Sequence, residues 1–170
     1  MKMPANSSDD FTISREFDAS RETLWACLTD PQRMRQWWGP KGCKVVAANM
    51  DLRPGGSYHY GLDMPNGQTM WGKFVYREIV APERLNFINF FSDEKGGVTR
   101  HPLAPNWPLE MLSTFTLEKT NGKTRFTVRW SPHNATKEER ETFDSPEMRI
   151  GMANGWTGTL DQLEAYLKSL

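Results

Sequence analysis

Residue types able to make or break bonds are sparse in this 170-residue chain. Its 3 His (His59, His101 and His133) stand far apart and form neither HxxxH nor HExxH, so no ligand pair is spaced for zinc on one helix face. The 2 Cys, Cys27 and Cys43, are too few for a secreted disulfide framework and read as plain buried or half-buried thiols. GxSxG, P-loop and GxGxxG patterns are missing, so no catalytic residue, metal ligand or cofactor is assigned. Glu138, Glu139 and Asp144 fall on a charged helical stretch and read as a solvated face rather than as acid/base groups. His59 is expected on an outward strand face and His133 at a turn, whereas His101, in a Pro-rich loop, can reach a cavity mouth. What the chain has in abundance is apolar bulk, with 7 Trp, 9 Phe and 9 Met. Such a set either fills a dense core or lines a cavity for an apolar guest.

The elements that must position these side chains follow from periodicity. Phe11–Phe17 alternates apolar with polar, the period of a half-buried strand. Ser20 can cap a helix with Leu24, Trp25 and Leu28 inside, and Asp30-Pro31 starts a second short helix that stops at Trp37-Trp38-Gly39-Pro40. Strands are expected over 42–50, 57–63, 69–80, 84–91, 109–119 and 123–131, with turns at Asn66-Gly67 and Asn121-Gly122. The stretch 92–108 breaks the rhythm with Gly96-Gly97, Pro102, Pro105 and Pro108 around Trp107, and reads as a long loop bordering a cavity mouth. Thr136 to Glu139 has the capping-box pattern, and that helix ends near Ser145-Pro146. A long final helix carries one stripe, Met152, Trp156, Leu160, Leu163 and Leu167. This order predicts an α+β fold, a curved antiparallel sheet of six to seven strands wrapped around the long C-terminal helix, with two short helices after strand 1.

Strand parity then places the candidate site. Leu85, Phe87 and Phe91 share a face with Asn89, and Met111, Phe115 and Leu117 share one with Ser113, while Phe126, Val128 and Trp130 face inward on the last strand. Asn89 and Ser113 thus interrupt apolar rows, and each needs a partner: a neighbouring residue, a water or a ligand. The candidate ligand-contacting residues are the Trp37-Trp38 pair, Tyr60 and Phe74 of the middle strands, Phe87 and Asn89, and Trp107 of the loop. Met111, Ser113, Phe115, Phe126 and Trp130 of the last two strands join them, with Met152 and Trp156 of the final helix. Gly151, Gly155 and Gly158 weaken that helix and need a reason, either close packing on the sheet or a thinned face that leaves room for a guest.

Composition bounds the class. Lys+Arg and Asp+Glu are both 21, a balance that speaks against a nucleic-acid partner. The mean hydropathy of −0.66 and the lack of a long apolar run exclude a membrane span. Residues 1–10 are polar, carry no signal core and read as a disordered lead-in to a single domain over 11–170, in a cytoplasmic protein. A homodimer is left open.

Four motifs in order make the chain recognisable: Trp37-Trp38-Gly39-Pro40, Arg53-Pro54-Gly55-Gly56, Ala81-Pro82-Glu83-Arg84-Leu85, and Gly155-Trp156 followed by Leu160-Asp161-Gln162-Leu163 and Tyr166-Leu167. Together they resemble the Aha-type branch of the START-like (SRPBCC) superfamily, which includes the C-terminal domain of the activator of the heat-shock-protein-90 ATPase. The stretches Phe91–Glu94, Thr99–Pro102 and Trp107–Met111, with Asn134-Ala135-Thr136, are similar to a polyketide cyclase-like bacterial subgroup. The resemblance implies a helix-grip fold with a cavity between sheet and C-terminal helix. It transfers no catalytic residue. Three functions are compatible with it: a binding protein for a hydrophobic or aromatic small molecule, a cyclase- or hydrolase-like enzyme using the same cavity, and a chaperone-activator type of protein-interaction module.

Overall fold

The computed structural model describes residues 10–170, so the expected lead-in lies outside the described residues apart from Asp10. β1 (Phe11–Phe17) is followed by α1 (Arg21–Thr29) and α2 (Pro31–Trp37). Six strands come next: β2 (Lys44–Met50), β3 (Ser57–Asp63), β4 (Thr69–Val80), β5 (Arg84–Ser92), β6 (Glu110–Thr120) and β7 (Lys123–His133). α3 (Lys137–Asp144) and α4 (Pro146–Lys168) close the chain.

Each helix begins where a side chain satisfies backbone N–H groups that no helical carbonyl can reach. Ser20 Oγ accepts from Thr23 N at 3.1 Å, and Asp30 Oδ1 accepts from Gln32 N at 2.9 Å with Pro31 at the first helical position. Thr136 and Glu139 form the reciprocal capping box. Asn121 and Gly122 both take positive φ, 48° and 84°, as a two-residue hairpin turn requires.

The seven strands form one curled antiparallel sheet in the order β1-β7-β6-β5-β4-β3-β2, with α4 lying in its concave face. Alternation decides what faces in: Met111, Ser113, Phe115 and Leu117 of β6 are buried, as are Phe126 and Val128 of β7. α4 meets them with Met152, Trp156, Leu160 and Leu163, and Trp156 sits edge-on to Phe115 and to Trp130, both at 5.8 Å. Arg15, on the inward side of β1, ties α4 to the sheet through Asp161 at 2.9 Å and Glu164 at 3.4 Å. No helix among the described residues is long and apolar enough to cross a membrane.

Two expectations are corrected. β7 runs on to His133, because β6 keeps pairing with it past Ser131, Met111 opposite Pro132 and Glu110 opposite His133. Glu139 is not on a solvated face: it is 6% exposed, and its carboxylate is engaged by Arg100 from the loop before β6 and by the Thr136 N–H at 2.9 Å. A buried carboxylate needs such partners, so its role is to hold the loop to α3.

Candidate functional site

The floor of the site starts at the end of α2. Trp37 turns back into the core, where its indole N–H donates to the Cys27 carbonyl at 3.0 Å. Trp38, next in sequence and perpendicular to it, points the other way and packs edge-on against Tyr60, Phe74 and Trp156 at 5.4–5.7 Å. Gln162 of α4 fastens this turn, donating to the Trp37 carbonyl at 3.2 Å and to the Gly39 carbonyl at 2.7 Å. The helix stop and the long helix are thus one assembly.

The sheet contributes a wall of rings. Phe74 of β4 stacks on Phe87 of β5 at 4.1 Å, and Phe115 of β6 meets Phe87 edge-on at 4.9 Å. Tyr60 lies flat across Gly72, its partner on β4, where a Cβ would come within 2.4 Å of the hydroxyl oxygen. On the opposite face Trp71 covers Gly61 in the same way, and His59 stacks on Trp71 at 5.2 Å. Burial pushes the Tyr60 phenol up to about 12, with the Trp38 N–H beside it working the other way. The Trp38 indole nitrogen is itself buried and makes no aligned hydrogen bond.

Between this wall and α4 lies a cavity of about 410 Å³. Eleven of the sequence-derived candidates line it: Trp38, Tyr60, Phe74, Phe87, Asn89, Trp107, Met111, Phe115, Trp130, Met152 and Trp156. Three do not reach it. Trp37 anchors the α1–α2 corner, Phe126 sits behind Phe115 at 5.2 Å, and Ser113 lies under Asn89, to whose side-chain oxygen it donates. Met64, Met70 and Met148 add to Met111 and Met152, so five of the 9 Met border the space. Met70 shares parity with Phe74, and Met148 precedes Met152 by one helical turn, so both were readable from spacing. Leu62 and Thr159 also line the space without having been singled out.

The loop over 93–109 contributes His101, Trp107 and Pro108 to the lining. Trp107 is 8% exposed, lines the cavity and packs on Phe143 of α3 at 5.7 Å. His101 lies beside it, 4.8 Å from the Phe91 ring, and accepts from the Leu103 N–H through Nδ1 at 3.0 Å. Burial lowers the His101 pKa, which keeps the ring neutral near pH 7. Among the described residues, none that lines it is Asp, Glu, Lys or Arg. Among the described residues no cluster of His, Cys, Asp or Glu could hold a metal ion. Such a space can enclose and orient an apolar guest; it places no acid/base pair on one.

Residues 18–168 match the family model described as activator of Hsp90 ATPase homolog 1-like protein. The fold is similar to that of a Mycobacterium smegmatis protein, 24% identical, with a TM-score of 0.77 over 95% of this chain and 91% of that one. A protein from Arthrobacter aurescens is 26% identical, with a TM-score of 0.76 over 96% of this chain and 88% of its own. An AHSA1 protein from Silicibacter pomeroyi is 24% identical, with a TM-score of 0.70 over 94% and 97%. No functionally curated protein matches the chain.

Proposed function

The chain belongs to the activator of Hsp90 ATPase homolog 1-like family, and on that footing we propose that it is a binding protein for a hydrophobic or aromatic small molecule, held between the sheet and α4. The observation that carries this is the cavity of about 410 Å³, walled by aromatic rings and methionines, with no charged side chain among the described residues that line it. Its volume falls within the range of pockets that bury a small organic ligand. Five methionines give the wall a surface that adapts to the shape of a guest. Tyr60, Phe74, Phe87, Met111, Phe115 and Trp156 supply the contact area, and Trp107 and His101 of the loop add to the lining.

Two measurements test the reading. Native mass spectrometry of protein purified from its own host should show an added mass that denaturation removes. Titration with Nile red, a neutral apolar dye, should saturate at one molecule per chain and quench Trp emission. A Met152→Trp variant, which fills the space with an indole, should abolish dye binding while the circular dichroism is kept. Dye binding unchanged in that variant would place the ligand elsewhere and refute the proposal.

A further inference from the structure

The hydrogen-bonding sign of the cavity can be read from two side chains. Ser113 is 0% exposed, and its hydroxyl has one partner, the side-chain oxygen of Asn89. That fixes the Asn89 amide: turned the other way, it would offer N–H to the serine and leave the buried hydroxyl hydrogen without an acceptor. The Asn89 NH₂ group therefore points away from Ser113. It has no hydrogen-bond partner among the described residues, it is not fully buried, and Asn89 lines the cavity. It is an open donor in an apolar wall.

His101 has the same sign. Its Nδ1 accepts from the Leu103 N–H, so in the neutral ring the hydrogen sits on Nε2, which has no hydrogen-bond partner among the described residues. Phe91 lies between the two donors, two residues beyond Asn89 on β5 and in ring contact with His101. Thr159, the hydroxyl on the helix side, has its hydrogen committed to the Gly155 carbonyl at 3.0 Å. The Tyr60 hydroxyl is turned onto the sheet over Gly72. On the β5 side the Asn89 amide thus offers an N–H group, with the His101 ring of like sign nearby, in a space whose described lining carries no charge to match a carboxylate, phosphate or ammonium.

We infer that the cavity selects neutral ring compounds bearing a carbonyl oxygen, with the Asn89 amide N–H donating to that oxygen and Ser113 acting as the positioning residue that sets the amide. This rests on the cavity being a ligand site, and it adds a rule of selection: a guest with an acceptor oxygen is favoured over its hydrocarbon isostere.

The test compares 9-fluorenone with fluorene, two flat tricyclic probes of nearly equal shape that differ by the carbonyl. Both should displace Nile red, and fluorenone should bind about three- to tenfold more tightly, the span that one net hydrogen bond confers. In the Asn89→Leu/Ser113→Ala double variant, which removes both buried partners together, fluorenone should fall to the affinity of fluorene while fluorene changes less than about twofold. An infrared measurement on the unmodified protein covers the case of a variant that does not fold. The C=O stretch of bound fluorenone should lie at lower wavenumber than in alkane. Equal affinities, or a carbonyl band at its alkane position, would overturn the selection rule and leave the cavity reading intact. Failure of both compounds to displace the dye would overturn the two together.

Discussion

Gly72 shows how much of the cavity wall hangs on one missing side chain. A Cβ there would stand 2.4 Å from the Tyr60 hydroxyl oxygen and 2.5 Å from its ring carbon Cζ. Tyr60 is stacked on Tyr58 at 5.1 Å and edged by Trp38 at 5.6 Å and Phe74 at 5.7 Å, so the displaced ring has to move toward the cavity. Gly72→Ala is expected to cost about 1–3 kcal/mol, as overpacking does, and to weaken Nile red binding. Gly61→Ala is its control: the new Cβ meets the Trp71 ring at 2.9 Å on the far face of the sheet. It should lower the denaturation midpoint and leave dye affinity alone. Equal effects of the two variants on dye binding would show that Tyr60 does not shape the cavity.

At the scale of the element, the three glycines of α4 separate into two kinds. Gly158 is a close-packing glycine, where a Cβ would meet Lys41 Cβ and N at 3.2 Å. Gly151 and Gly155 line the cavity, and a Cβ on either would meet nothing within 4 Å. Gly155→Ala should therefore raise thermal stability by about 1 kcal/mol through helix propensity, and at the same time lower Nile red affinity by taking up guest space. Stability gained with affinity unchanged would mean that this part of the helix face is not used. The sequence could pose this choice of packing or room, but only the neighbour across the gap decides it. The same limit explains which other features were legible. Strand parity placed Phe87, Asn89, Phe115 and Ser113 because a pleated strand has one rule for facing. Trp37 and Trp38 look alike in sequence, and a helix stop sends one into the core and the other to the cavity. Phe126 is inward like Phe115 yet lies behind it, since the curl of the sheet separates core from cavity within one face. Glu139 read as solvated because a capping box looks the same whether or not an Arg from 39 residues away covers it.

For the molecule as a whole, the Arg100–Glu139 pair is the polar joint between the 93–109 loop and α3. Arg100 also donates to the Trp107 carbonyl at 3.4 Å, so the pair holds the segment that carries Trp107. Burial pushes the Glu139 carboxyl up, but the Arg100 guanidinium and the backbone N–H groups of Thr136 and Leu109 outweigh it and hold it below the usual range. A carboxyl lowered in the folded state stabilises above its unfolded pKa, and that stability is lost as pH falls through the folded value. Melting temperature should thus drop on acidification from neutral pH through the carboxylate range. Glu139→Gln, which keeps an oxygen for the Thr136 N–H, should melt lower at pH 7, show a shallower acid decline and take up Nile red faster. Parallel melting curves for the two proteins across pH 3–7 would show that this joint has no part in the acid response.

The sheet order gives the chain one further property, which concerns the time at which it becomes whole. β2 to β7 are each paired with their neighbour in sequence, so six strands can zip together from local turns as they are synthesised. β1, which precedes the other six strands in the chain, has no such neighbour: Phe11 pairs with Trp130 and Phe17 with Thr124, more than a hundred residues away. Loop closure over that distance must be met before the contact contributes anything, so this pairing is the slow kind. Arg15 must wait longer still, for Asp161 and Glu164 on the last helix. The nascent chain therefore carries an amphipathic strand without its partner until β7 has been made, and until α4 follows, the ring-lined face of the sheet stands open to water.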